Sequence, residues 1–500
     1  MRIPGSHTSI APARTSAGAP IEEPKLPFPA PSTPPSLPPP ADCDDFDPAP
    51  APTGPAPAEP VVVRKGAPSD FEVDGVFAVF TDVKHADVDF TLDVSQRKAT
   101  VTSKLQLSLA TEGYPVLDLV PDATAIRVNG KAVDPAAFQL VEDPDGVTQV
   151  RVLRELLPPG DHVIEFDYAP TKDIRFTGDG VDFEIEMDDL AQRAFLEKYF
   201  PASFEYDQHS TSMKLQIAGA SREHKVMTNG ELTELGDGAY QIEFPPYFTS
   251  SSHYLHIFDP SKFTLIEDSF SGVNGEIPIR VYSDDPREAQ TAVRMIKETF
   301  SEFESKFGPY AHTAYTAYIG GRSDGMEYAG ATQSSLWALE HEVAHSWFAR
   351  GVMPNSGNAG WLDEAIVSWH DNGYPTARNY TDQGRYPVLA GFSEYQRDTA
   401  EASYTHGAKV ISELDLIFKD QGGITPVLKD FYAEYFQKVI TTADFVSFVS
   451  ERSPVDLTTY FTNKLFGGVP QEEIQRSPAE RVPPSEWFHS LRRGRVERGE

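Results

Sequence analysis

The chain contains one cysteine, Cys43, in 500 residues. Disulfides within the chain are therefore excluded, and so are metal sites built from cysteine thiolates. No stretch approaches the roughly 18 consecutive apolar residues of a membrane-spanning helix. Arg2 near the N-terminus has no apolar run behind it, so no secretory leader is read there and the expected location is the cytoplasm. Positive charge is scarce: 43 Lys and Arg stand against 75 Asp and Glu, a formal net charge of −32. Residues 1–66 hold 5 of the basic and 7 of the acidic residues, so the remainder carries −30, which argues against nucleic acid as a partner. Those first 66 residues also lack aromatics apart from Phe28 and Phe46, while 18 of the 42 prolines fall in residues 1–60. Such a segment cannot bury enough apolar surface to offset its ordering entropy, so residues 1–68 are expected to be disordered with polyproline character.

From about Asp70 to Phe263 the pattern is β. Asp87–Val94 and Ala99–Leu107 alternate, His162–Tyr168 and Ser212–Ile217 extend the series, and Val128-Asn129-Gly130-Lys131 is a hairpin signal. Many short strands with few helices imply a sandwich or saddle-like sheet domain over 69–262. From about Thr264 the character changes. Asp285-Pro286 opens an amphipathic helix with Ala289, Ala292, Val293, Ile296, Phe300, Phe303 and Phe307 on one face, ended by Gly308-Pro309. A strand over Thr313–Ile319, a Gly-rich turn, extended Met326-Glu327-Tyr328 and a helical remainder to about Phe466 follow. The polar segment 469–500 reads as a tail.

The most informative feature is His341-Glu342-Val343-Ala344-His345, with Glu364 following after eighteen intervening residues. Two histidines four apart on a helix lie about 40° apart around its axis, so both imidazoles reach one ion. Glu342 is placed to take a proton from an attacking water, and Glu364 supplies a third ligand from a second helix. Two nitrogens, one carboxylate and an open fourth position describe a hydrolytic zinc site. The flanks Leu336-Trp337-Ala338-Leu339 and Trp347-Phe348-Ala349 put the histidines on a largely buried helix. A Glu in Trp361-Leu362-Asp363-Glu364-Ala365-Ile366 is costly unless paired or ligating. Gly321-Arg322-Ser323-Asp324-Gly325 fits the letters of a serine-hydrolase elbow, but the turn leads into an extended segment rather than a helix, so no serine nucleophile is expected.

HExxH followed by Glu in a Trp-Leu-x-Glu block resembles the gluzincin aminopeptidases of the aminopeptidase N and leukotriene hydrolase type. Gly325-Met326-Glu327-Tyr328-Ala329-Gly330 resembles the family's exopeptidase motif, with Tyr328 where Asn is usual, and Tyr404-Thr405-His406-Gly407-Ala408 resembles its Tyr-Glu-Lys-Gly-Ala block. The resemblance implies an α+β multidomain chain: an N-terminal all-β domain, in which Ser212–Ile217 walls the cleft, then a thermolysin-like catalytic domain over 263–468. It also implies a short form lacking a large C-terminal helical domain. By the same resemblance one Zn2+ per chain is held by His341, His345 and Glu364. Glu342 is then the general base, Tyr404 steadies the developing oxyanion, and Glu327, with the backbone of Gly325 and Met326, binds the substrate's free amine. Gln192 and Glu197 are candidates for a second amine contact. Asp363, where Asn is more usual, adds a charge beside a ligand, and His370 and His406 are read as non-ligands. The expected activity is removal of the N-terminal residue from peptides. An epoxide or ester hydrolase using the same metal, and an inactive zinc-containing peptide-binding scaffold, are the alternatives. Oligomeric state is left open.

Overall fold

The computed structural model describes residues 66–146, 149–185, 198–320, 325–355, 359–384, 386–395 and 399–468. The proline-rich segment up to residue 65, the tail from 469, Gln192, Glu197 and residues 321–324 of the Gly-x-Ser-x-Gly stretch lie outside them.

Alternation of apolar and polar residues builds the first part of the fold. Along Lys98–Leu109 the residues Ala99, Val101, Ser103, Leu105, Leu107 and Leu109 point inward and their neighbours outward. This strand pairs with Asp82–Asp93 and Gly160–Tyr168 inside an eight-stranded sheet. The hairpin expected at Asn129-Gly130 is present: both residues have positive φ, 52° and 77°, and join the antiparallel strands Ala123–Val128 and Lys131–Val133. A five-stranded and a four-stranded sheet complete the β region. Strand Ser210–Ala218 lies within the eight-stranded sheet, between Asp82–Asp93, to which it is parallel, and Ala239–Phe244. Its Met213, Leu215 and Ile217 join Phe90, Leu105, Ile164 and Phe166 in one core.

From Thr264 the chain forms a second five-stranded sheet, in the order Thr264–Gly272, Gly275–Ser283, Tyr315–Ile319, Ala331–Ser334, Gly325–Tyr328. Helix α1 (Pro286–Phe307) makes the crossover between the parallel strands Gly275–Ser283 and Tyr315–Ile319. Asp285 caps it by accepting from the backbone N–H of Arg287 at 2.7 Å, Pro286 presets the first turn, and Gly308 ends it with φ 124°. All seven residues of the expected apolar stripe are buried. Phe300 and Phe303 pack at 5.5 and 5.2 Å from Trp347, whose indole N–H donates to Gly308 O at 2.9 Å. The segment after α2 (Leu339–Ala344) is thereby pinned to α1. Helix α3 (Trp361–Asp371) shares the same core through Trp361, Leu362, Ala365, Ile366 and Trp369.

One expectation is corrected here. The helix carrying the two histidines is short, and one residue of its N-terminal flank, Trp337, is 85% exposed, while Ala338 and Leu339 are buried. Regular helix starts only at Leu339, so Trp337 sits in the preceding turn with its side chain in solvent. Burial comes from Leu339, Val343, Ala344, Trp347 and Phe348 instead. Among the described residues no helix is long and apolar enough to cross a membrane.

Candidate metal centre

Helix α2 brings His341 and His345 to one face, with Nε2 atoms 3.1 Å apart. Helix α3 crosses beside it and delivers Glu364, whose Oε2 lies 3.3 Å from His341 Nε2 and 3.6 Å from His345 Nε2. Among the described residues these three form the only group of His, Cys, Asp or Glu with metal-ligand spacing.

The donor set tests itself against a divalent cation. His341 Nδ1 faces Asp371 Oδ2 at 2.7 Å, and His345 Nδ1 faces Phe348 O at 3.0 Å. Both acceptors call for a proton on Nδ1, which leaves the Nε2 lone pairs converging on one point. Glu364 Oε2 is buried there without a hydrogen bond. Two lone pairs and an unsatisfied carboxylate oxygen repel one another unless a cation lies between them. Without one, the cluster gathers protons. Burial pushes the His341 imidazole down, but the Asp371 and Glu364 carboxylates outweigh it and hold it up at about 9. Burial likewise opposes the His345 cation, and Glu364 drives it well above the ordinary range. Burial raises the Glu364 carboxyl, but His345 and His341 hold it far below its usual value. The pocket stabilises positive charge, and three neutral-to-anionic N and O donors suit zinc.

Asp371 was not singled out from sequence. It lies two helical turns beyond Glu364 on α3, hence on the same face, a spacing that could have found it. It orients His341 and raises its basicity toward a metal. Asp371→Asn is expected to weaken zinc binding about 10- to 100-fold, read by competition against a chelator of known affinity.

Glu342 is buried beside the triad. Burial, and then the neighbouring Glu327 charge, push its carboxyl up to about 8, while His345 and His341 pull it down. A dication in the triad would pull it further down. Gly325 covers Glu342 so closely that a Cβ there would collide with the Glu342 side chain. Glycine is required by that approach and not by a special φ. Tyr404 sits on a single π-helical turn, Ser403–Gly407, of the kind often found at functional sites. Its hydroxyl donates to Glu364 Oε1 at 2.6 Å, and its ring stacks over His341 at 6.2 Å. It is 43% exposed, so it is not a core tyrosine. Gly407 permits this placement: a Cβ on it would lie 2.8 Å from Ala365 Cβ, next to Glu364.

Glu327 lies on the strand Gly325–Tyr328, at the edge of its sheet, with Met326 paired to Gln333 on the inner side. Its Oε1 accepts from Arg350 Nη2 at 3.2 Å, a partner that sequence reasoning missed. Asp363 Oδ1 accepts from the Glu364 N–H at 2.8 Å. Burial and the adjacent Glu364 push the Asp363 carboxyl well above its usual range. His370 lies against Phe303 and Asp371, and His406 against Tyr386 and Thr405; neither joins the triad.

No family model matches the sequence, and no curated protein is similar to it in sequence. Solved structures do match. An M1 zinc metallopeptidase of Deinococcus radiodurans, in a variant bound to Tyr-Ser-Ala, aligns with a TM-score of 0.55 at 17% identity, over 81% of this chain and 96% of that one. Legionella pneumophila aminopeptidase A, in complex with aspartic acid, aligns at 0.57 and 13%, over 78% of this chain and 50% of its own. Yeast LTA4 hydrolase with bestatin aligns at 0.55 and 15%, over 77% and 68%. This chain therefore shares its fold with the M1 zinc metallopeptidase of Deinococcus radiodurans and with these aminopeptidase and LTA4 hydrolase structures.

Proposed function

We propose that the protein is a zinc-dependent aminopeptidase, with residues 69–262 as its N-terminal β domain and 263–468 as a thermolysin-like catalytic domain. The observation that carries this reading is the convergence of His341 Nε2, His345 Nε2 and the unsatisfied Glu364 Oε2 beside a buried Glu342. His341, His345 and Glu364 would hold one zinc ion. Zinc, when bound, supplies Lewis acidity that polarises a scissile carbonyl and lets a water lose its proton near neutral pH.

The chain's own residues do the rest. Glu342 accepts the water's proton on its carboxylate and returns one to the leaving amine. The Tyr404 hydroxyl swings from Glu364 to donate to the oxygen on which charge develops. Burial and the nearby Glu364 charge raise its phenol, so it stays a donor at neutral pH. Glu327 pairs with the substrate's ammonium, and the outer edge of Gly325–Tyr328 accepts the peptide as an added strand. An anchored amine leaves only the first peptide bond within reach of the water. An intact Glu342 favours an enzyme over a binding scaffold, which has no use for a buried carboxylate there.

The test is hydrolysis of fluorogenic aminoacyl amides against their N-acetylated forms. The free-amine substrate is expected to be cleaved about 30- to 150-fold faster, since loss of a charge-assisted pair costs roughly 2–3 kcal/mol. Equal rates would remove Glu327 from its role, and no turnover by zinc-loaded protein would end the aminopeptidase reading.

A further inference from the structure

Five residues beyond His345, Arg350 turns back into the protein and is only 3% exposed. Its backbone N–H donates to His345 O at 2.9 Å, which ties it to the end of the metal-binding segment. Its side chain crosses to the neighbouring strand. There Nη2 donates to both Glu327 O at 3.1 Å and Glu327 Oε1 at 3.2 Å, while Nη1 donates to Ser251 Oγ at 3.0 Å. Ser251 is itself held in place. Asn229 Nδ2 bridges Ser252 O at 2.7 Å and Ala329 O at 2.8 Å, joining the Ser250–Ser252 turn to the residue two beyond Glu327.

We infer that Arg350 is a positioning residue that fixes the distance between the metal triad and the Glu327 carboxylate, and so sets the one-residue register of cleavage. This deepens the proposed function and rests on it. A guanidinium bonded to the carbonyl and the carboxylate of one residue closes a ring that restricts the side chain's rotamers, and its planar fork reaches Ser251 through Nη1 at the same time, which a single lysine nitrogen cannot match. It occupies a single carboxylate oxygen. Among the described residues Oε2 has no hydrogen-bond donor, and the Glu327 side chain stays 21% exposed, so one oxygen is left for a ligand cation. A pair that served only to neutralise a buried charge has no need to grip the backbone carbonyl as well, nor to leave half the carboxylate open. Screening and positioning also predict opposite signs. If Arg350 mainly screens Glu327, its removal strengthens amine binding; if it positions Glu327, its removal weakens binding.

The experiment compares full-length, zinc-loaded wild type with Arg350→Gln, Arg350→Lys and Ser251→Ala, each checked for zinc content and melting temperature. KM and kcat are measured on an aminoacyl amide and its N-acetylated form. Arg350→Gln is expected to raise KM for the free-amine substrate about tenfold or more, with a smaller change in kcat, because a displaced anchor misplaces the substrate. The preference for a free amine falls by the same factor. Arg350→Lys recovers part of the loss, and Ser251→Ala gives a smaller rise of the same sign. A folded, zinc-loaded Arg350→Gln whose KM is unchanged or lower overturns the inference, as does an equal loss of kcat on both substrates. If that variant does not fold, Ser251→Ala decides: an unmoved KM there also overturns it. A wild type without free-amine preference instead refutes the proposed function itself, so the two failures are told apart.

Discussion

Glu342→Gln is expected to lower kcat by about 10²- to 10⁴-fold while zinc content stays that of the wild type. The substitution keeps the shape of the side chain and removes only its ability to take a proton. The triad does not depend on it: His341 is oriented by Asp371, His345 by Phe348 O, and Glu364 by Tyr404. Stability should hold or rise. Burial and the Glu327 charge already disfavour the ionised carboxylate, and a neutral amide removes that repulsion. The decisive measurement pairs elemental analysis with initial rates on one preparation. Activity within tenfold of wild type, with zinc retained, would assign the base elsewhere.

The second large effect is on stability. Glu413, on the helix Ala408–Ile417 that follows Tyr404, is buried and accepts from Tyr386 at 2.7 Å and Tyr460 at 3.0 Å. Lys464, near the end of the described chain, is buried 3.7 Å from the same carboxylate and 3.8 Å from the Tyr386 ring centre. Breaking a buried pair from one side strands the other charge, so Glu413→Ala is expected to cost about 3–5 kcal/mol in denaturant unfolding. The double change Glu413→Leu with Lys464→Met should recover most of it. The pH dependence has a definite sign. Burial lowers the Lys464 ammonium and Glu413 supports it, so removing Glu413 depresses it further. A lysine whose folded value lies below the unfolded one contributes stability that is present above the unfolded range and lost as pH falls. The deficit of Glu413→Ala should therefore be smaller at pH 9.5 than at pH 7. A loss under about 1 kcal/mol at pH 7 would show that the pair adds nothing. Because this pair ties Lys464 to the helix that directly follows the Tyr404 turn, the variant should also lose activity before it unfolds globally.

Much of the site was legible in the chain because its grammar is local. The α1 stripe, the paired histidines and the apolar block around Glu364 each express one helical period, and all three took the expected form. The Tyr404 assignment came from resemblance alone, and the structure puts its hydroxyl on Glu364. Trp337 departs from the expected burial because an apolar letter beside a helix does not say whether the helix has started. Asp371 was overlooked although its spacing from Glu364 was readable. Arg350 and Ser251 left no local trace: they lie 23 and 76 residues from Glu327, and their pairing depends on how separate elements cross.

The amino-acid sequence by itself determined which side chains can grip a cation, since the backbone geometry of a single helix places residues four apart on one face. It likewise determined the division into a strand-rich region and a helix-rich one, through the two periods of burial. Only the tertiary structure decided which carboxylate faces which cation. Arg350 meets Glu327 and Lys464 meets Glu413. A charge withdrawn from water pairs with whatever the packing of distant elements brings within about 4 Å, and no spacing along the chain encodes that distance.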